Sequence, residues 1–346
     1  MFIFMFKIFL MLRNIQLLFL TICTLCSCSD STSQVSDDNL QSYLSNINID
    51  NLKNHVYNLA SDEMKGRKTG EEGQKIAAQY IRNFYIEQNI EAAQNTDNYY
   101  QIVPGEFMST PSNTLQDSEN VVAFIEGSEF PDEYVVISAH YDHMGIENGE
   151  VMHGADDNAS GTASVMEIAR LLKKAKADGK GPKRSIVFLH CTGEEFGLHG
   201  SRYYTENALY PLNKTITDIN IDMIGRSDDK YLDEGNYIYV IGPSRLSDDL
   251  DKLTKDTNQK YTQLTLDYTY DDVNHPEMLY YRSDHYNFAQ HNVPVVFFFG
   301  GLHPDYHTPN DTADKILYDQ MLKRTQLIFA TIWQVANRNE PIKVNP

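Results

Sequence analysis

Apolar positions along this chain recur with two distinct patterns. In TGEEGQKIAAQYIRNFYIEQN they fall at Ile76, Ala77, Tyr80, Ile81 and Phe84, the spacing of a helix that buries one face. Thr69 and Glu72 in front of this run form a capping-box pair. SGTASVMEIARLLKKAKA repeats the helical pattern, with Ser160 as its cap. SRYYTENA, SDDLDKLTKDTNQ and SDHYNFAQH predict shorter helices, and DKILYDQMLKRTQLIFATIWQVANR a long closing one. Between them stand short apolar runs: NVVAFIEG, EYVVISAH, RSIVFLHC, TDINIDMIG, NYIYVIG and VPVVFFFGG. These read as strands, and VPVVFFFGG, apolar throughout, belongs inside a sheet with both faces covered.

From residue 120 onward the two patterns alternate. That order predicts an α/β three-layer sandwich, a mixed but mostly parallel sheet with helices on both faces. The SEFPD turn is too short for a parallel crossover, so the strands on either side of it run antiparallel and make the sheet mixed. Nothing in the pattern marks a second domain, and residues 49–346 read as one.

The first residues differ in kind. Up to residue 27 the chain is apolar, with only Lys7 and Arg13 charged. Met11 offers an alternative start, with MLRN as a basic region and IQLLFLTICTL as the apolar one. The LCSC that follows resembles a bacterial lipoprotein cleavage box. It predicts a signal peptide over 1–27, lipidation of Cys28, and a Ser/Asp-rich flexible tether over 28–48. The protein is then expected in the bacterial cell envelope, anchored by lipid to the outer membrane. An uncleaved anchor is the alternative. Cys23 and Cys26 lie in this leader and Cys28 is the lipidation site that follows it, so Cys191 has no internal disulfide partner. The formal charge is −19, and without residues 1–27 it becomes −21, with 27 basic against 48 acidic residues. Nucleic acid is excluded as a partner because no basic face exists to meet phosphates.

The chemistry gathers at strand ends. His140 and Asp142 follow EYVVISA; Glu194 and Glu195 follow SIVFLHC; Asp222 follows INI; His303 and His307 follow VPVVFFFGG. Asp156 and Asp157 precede a helix. Ligands of open α/β sheets bind outside the carboxyl ends of the strands, so these side chains converge on one crevice. Carboxylates gathered there repel one another unless a cation joins them. Imidazole and carboxylate without thiolate suit catalytic zinc, and the donors are too many for one tetrahedral ion.

The segments LASDEMKGRKTGEEGQKIAAQYI, ISAHYDHMG, GADDNASGTASVMEIAR, TGEEFGLHGS, NIDMIGR, YYRSDHYNFAQHNVPVVFFFGG and YHTPNDTADKI carry a resemblance covering nearly the whole chain from about residue 50. Together they resemble the co-catalytic dinuclear zinc aminopeptidases, metallopeptidase family twenty-eight. That resemblance implies two zinc ions, with Asp157 as the bridging carboxylate. It gives His140 and Asp222 to one ion and Glu195 and His307 to the other. Glu194 is then the general base, Asp142 orients His140 from behind, and Asp284 lies near the pocket. It further implies peptide substrates and an aminopeptidase. Carboxypeptidases, glutaminyl cyclases and non-catalytic binding relatives are the alternatives. On this reading His143, His153, His190 and His199 are structural or surface residues. His285 is ambiguous, His303 is a weaker competitor of His307, and Asp156 is a loop acid. Oligomeric state is not legible.

Overall fold

The apolar runs become one nine-stranded sheet. In chain order its strands are β1 (Glu91–Ala92), β2 (Tyr100–Val103), β3 (Ser118–Ile125), β4 (Phe130–His140), β5 (Arg184–Cys191), β6 (Thr215–Asp222), β7 (Tyr237–Ile241), β8 (Thr265–Asp267) and β9 (Val295–Phe299). This computed structural model describes residues 39–232 and 235–346. Across the sheet the order is β1–β3–β5–β4–β6–β9–β7–β8, with β2 also on β3. The neighbours β5, β4, β6 and β9 are parallel. Every residue of β5 and β9 is buried, which is why neither sequence alternates.

The helices are α1 (Ile49–Leu59), α2 (Glu72–Glu87), α3 (Gly161–Ala177), α4 (His199–Glu206), α5 (Asp248–Tyr261), α6 (His285–Gln290) and α7 (Tyr318–Asn337). Helices α1, α3, α5 and α7 form one layer, and α4 packs with α6 in the other. The expected three-layer α/β sandwich is what the chain forms.

Local expectations are corrected in three places. The strands β3 and β4 do not pair with each other. β5 lies between them, so that Val121 and Ala139 both face His190 from opposite sides. Residues 126–129 extend up to ~13 Å, enough to step over the ~10 Å that separates strands two places apart. Neither expected side-chain cap forms: α2 begins at Glu72 with the Thr69 hydroxyl engaged elsewhere, and Ser160 in front of α3 donates to the Asp156 carbonyl instead. Nor is the 28–48 segment a tether throughout, because residues 39–45 are helical. The signal peptide over 1–27 and Cys28 lie outside the described residues. Among the described residues no helix is long and apolar enough to cross a membrane.

The parallel core fixes where chemistry sits. His140 ends β4 opposite Cys191 of β5, and Asp222 ends β6 opposite Phe299 of β9. The carboxyl ends of the central parallel strands therefore carry His140 and Asp222 side by side.

Candidate metal centre

His140 and Asp222 each close a strand, and the two strands are neighbours. Their side chains meet, with His140 Nε2 3.3 Å from Asp222 Oδ1. Asp157 comes from the turn Ala155–Ser160 that leads into α3. Its Oδ1 lies 3.2 Å from His140 Nε2, and its Oδ2 lies 3.0 Å from His307 Nε2. One carboxylate thus spans two groups of donors. His307, on the loop after β9, also lies 3.1 Å from Glu195 Oε2.

The adjacent glutamates face different groups. Ligand-type atoms of His140, Glu194 and Asp222 lie within 4.8 Å of one another, and so do those of His143, Asp157, Glu195 and His307. The divergence is built by a tight turn. The N–H groups of Gly197 and Leu198 both donate to the Glu194 carbonyl at 2.9 Å, and His199 N–H donates to the Gly193 carbonyl. Gly193 turns the chain out of β5 at φ +67°, a conformation that favours glycine.

Burial sets the protonation of these groups. It pushes the Glu194 carboxyl well above the usual range; His140 opposes this, and Glu195, Asp222 and Asp284 add to it. Burial works the same way on Asp157, yet the imidazoles of His140 and His307 close beside it hold it well below the usual range. His307 is lowered by burial but raised more by Asp157 and Glu195, to about 10.

Asp142 meets His140 through its backbone carbonyl, 3.3 Å from Nδ1, more closely than through its carboxylate, at 3.9 Å. The carboxylate instead accepts from Thr69 Oγ1 at 2.7 Å and from the Glu194 N–H at 3.2 Å. Asp142 therefore fixes the glutamate turn, and Thr69 leaves its capping position to hold Asp142. Asp284 is fully buried behind the first group, where burial lifts its carboxyl to about 6. Its neighbour Ser283 donates to Asp222 Oδ2 at 2.8 Å.

His303 is not beside the donors. Its Nε2 lies 3.4 Å from Asp156 Oδ2, and Asp156 Oδ1 accepts from the Gly225 N–H. Asp311 accepts from the N–H groups of both Asp156 and Asp157, so these acids hold the turn that presents Asp157. His190 bonds Tyr85 Oη in the core, and His285 packs against Phe297. His143, read as structural or surface, is fully buried, and its ring nitrogen lies among the donor atoms of the second group.

Arg67, in KGRKTG, is a further residue to which the sequence assigned no role. It is fully buried and donates to the carbonyls of Leu59, Tyr141, His153 and Gly154. Burial lowers its pKa to about 10, against the pull of Asp157, Asp311, Asp142 and Glu195. It ties the loop after β4 to the loop before Asp157 and sets a positive charge behind the acids. A buried cation within a glycine-containing loop was the signal available.

The residues fit zinc. The donors are imidazole and carboxylate without thiolate. His307 Nε2 is buried and makes no hydrogen bond, although two carboxylates lie within 3.1 Å of it. Atoms that approach closely without aligning in hydrogen bonds are arranged as ligands are, around a shared point.

Residues 120–332 match the family model described as Peptidase family M28. The chain is 41% identical to Aminopeptidase NAALADL1 of Rattus norvegicus over 111 residues, 32% of this chain and 14% of that protein. It is 26% identical to Aminopeptidase YwaD of Bacillus subtilis (strain 168) over 239 residues, 66% of this chain and 47% of that protein. The chain therefore spans less than half the length of these curated relatives. Its fold matches the crystal structure of Legionella pneumophila LapA aminopeptidase with a TM-score of 0.66 and 22% identity, covering 88% of this chain and 75% of that one.

Proposed function

The chain belongs to peptidase family M28, and we propose on that premise that it is a zinc aminopeptidase that removes N-terminal residues from peptides at a two-ion centre. One observation carries this reading: Asp157 is shared between two donor groups, with Glu194 in one and Glu195 in the other. His140, Asp157 and Asp222 would hold one ion; Asp157, Glu195 and His307 the other. Zinc in this cradle supplies Lewis acidity toward water and toward the peptide carbonyl.

The chain's own residues supply the proton transfers. Glu194 stands at the pocket, where burial raises its carboxyl above the usual range and favours its holding a proton during the reaction. It takes the proton from water as the oxygen attacks the scissile carbonyl carbon. It then gives that proton to the departing amine as the C–N bond breaks. Asp142 keeps Glu194 in place through the backbone N–H.

The pocket also suits an apolar residue at the cleaved end. His140, Asp157, Glu194 and Asp222 line it together with Met223, Leu279, Phe297, Phe299, Leu302 and Tyr306. The carboxylates suit a free α-amine. Arg282 lines the same pocket and is the feature that favours a carboxypeptidase, but its guanidinium is already engaged by Glu277 at 3.0 Å. Export and anchoring through Cys28 in the outer membrane belong to the same proposal, supported by the leader sequence alone.

Matched peptides with a free or an N-acetylated terminus test the polarity by mass spectrometry. The expected outcome is stepwise N-terminal loss from the free peptide, none from the acetylated one, and none from either after chelation. Equal cleavage of both would refute the aminopeptidase reading.

A further inference from the structure

We infer that His143 is a positioning residue for Glu195, and that the second donor group depends on it to offer the correct carboxylate oxygen. The inference rests on the reading that the two groups hold metal. His143 Nδ1 lies 2.6 Å from Glu195 Oε1, while Glu195 Oε2 faces His307 Nε2 at 3.1 Å. The two oxygens of one carboxylate are thereby divided. Oε1 is taken by His143, and Oε2 is left to converge with His307 Nε2 and Asp157 Oδ2.

The proton on His143 follows from its surroundings. A carboxylate only accepts, so the close contact requires hydrogen on Nδ1. The other ring nitrogen, Nε2, is buried and has no hydrogen-bond partner, so a proton placed there would go unpaired. His143 Nδ1 is 3.8 Å from Asp157 Oδ2, farther than either contact of His307. It thus addresses Glu195 from outside the convergence point, as the partner of a ligand and not as one of the ligands.

The fold holds the ring in this place. The His143 side chain is fully buried, and its N–H donates to the Arg67 carbonyl at 3.2 Å. Gly154 lies against the ring at φ +55°, and a Cβ there would come within 2.6 Å of His143 Cγ and Cδ2. The chain leaves room for this imidazole by placing glycine beside it. The His143 and His307 rings meet edge to face, with centroids 5.6 Å apart.

Two substitutions of equal shape isolate the hydrogen bond. His143→Asn places an amide nitrogen where Nδ1 stood; His143→Leu has the same outline and no donor. Zinc is titrated into the apo forms of both variants and the wild type against a competing chelator, with the apo melting temperature followed alongside. The prediction is that the leucine variant weakens one of two zinc affinities by about 10–100-fold, the loss typical of a removed ligand partner. The asparagine variant should stay within about threefold of wild type, with equal apo melting temperatures for the two variants. The inference is overturned if the leucine variant binds both ions as wild type does. It is equally overturned if asparagine fails as badly as leucine. Wild-type protein that binds no zinc would overturn the two-ion reading itself, and this inference with it.

Discussion

The two donor groups share Asp157 but are built differently. His140 and Asp222 stand at the last residues of adjacent parallel strands. Behind Asp222 runs a chain of buried side chains: Ser283 Oγ donates to Asp222 Oδ2 at 2.8 Å, and Asn220 Nδ2 donates to Ser283 Oγ at 2.7 Å. Ser138 Oγ then meets Asn220 Oδ1 and Asp218 Oδ1, at 3.0 and 2.8 Å. Glu195 and His307 come from loops instead. The His307 backbone lies at φ +53°, unusual for a residue other than glycine, and its side chain is 33% exposed. Its ring is held by stacking on Tyr306, with centroids 3.8 Å apart. Sheet backbone and a polar chain position the first group; the glutamate turn and ring contacts from Tyr306 and His143 position the second. The first group is therefore expected to hold its ion more tightly, because less of its geometry must be ordered when the ion binds.

Ser283→Ala should narrow that difference. It removes the donor to Asp222 Oδ2 and leaves Asn220 without its acceptor. The tighter zinc affinity should fall by about 10–100-fold, toward the weaker one, as for other partners of metal ligands. A competition titration that shows the weaker site changing instead would break the comparison.

Acid should loosen the first group's surroundings by a smaller amount. His285 begins α6, two residues after Ser283, and burial depresses its pKa to about 3. A histidine depressed on folding binds its proton more readily when unfolded. Its contribution is complete above an unfolded pKa near 6.5 and is lost as pH falls from there toward about 3. Between pH 7.5 and pH 5.5 this amounts to about 1 kcal/mol. In chelator, wild type should lose about that much more stability over this interval than His285→Leu does, as read from denaturant unfolding. Equal losses would show that His285 does not contribute.

Side chains attached to predictable elements were the legible part of this site. His140 and Asp222 follow apolar strands, so the alternating pattern alone brings them to one sheet edge. Asp157, Glu195 and His307 sit on loops next to strand or helix ends, so their place in the crevice was legible, but the choice of them over Asp156, Glu194 and His303 as ligands rested on the resemblance to a family. Thr69 shows a local rule losing to a distant partner: the capping box was present in the sequence, but Asp142, 73 residues away, takes the hydroxyl. The position of Asp142 was legible and its action was not, since sequence cannot tell whether its carboxylate or its carbonyl will face His140. His143 was passed over because another histidine three residues earlier already met the expected pattern. What identifies His143 is the gap beside Gly154, which exists only once the chain is folded. The order of β3, β5 and β4 escaped for a similar reason, as a short turn constrains strand direction but not which strand inserts between.

The division of labour between Glu194 and Glu195 is the central claim, and one side-by-side experiment reaches it. Zinc content, melting temperature and initial hydrolysis rate are measured for Glu194→Gln and Glu195→Gln. Glu194→Gln should keep both ions and wild-type stability while losing turnover by about 10²–10⁴-fold, the contribution of a general base. Glu195→Gln should lose zinc from one group, and its melting temperature should fall with it because metal binding is linked to folding. Metal lost from Glu194→Gln but retained by Glu195→Gln, or full activity in both, would contradict the account.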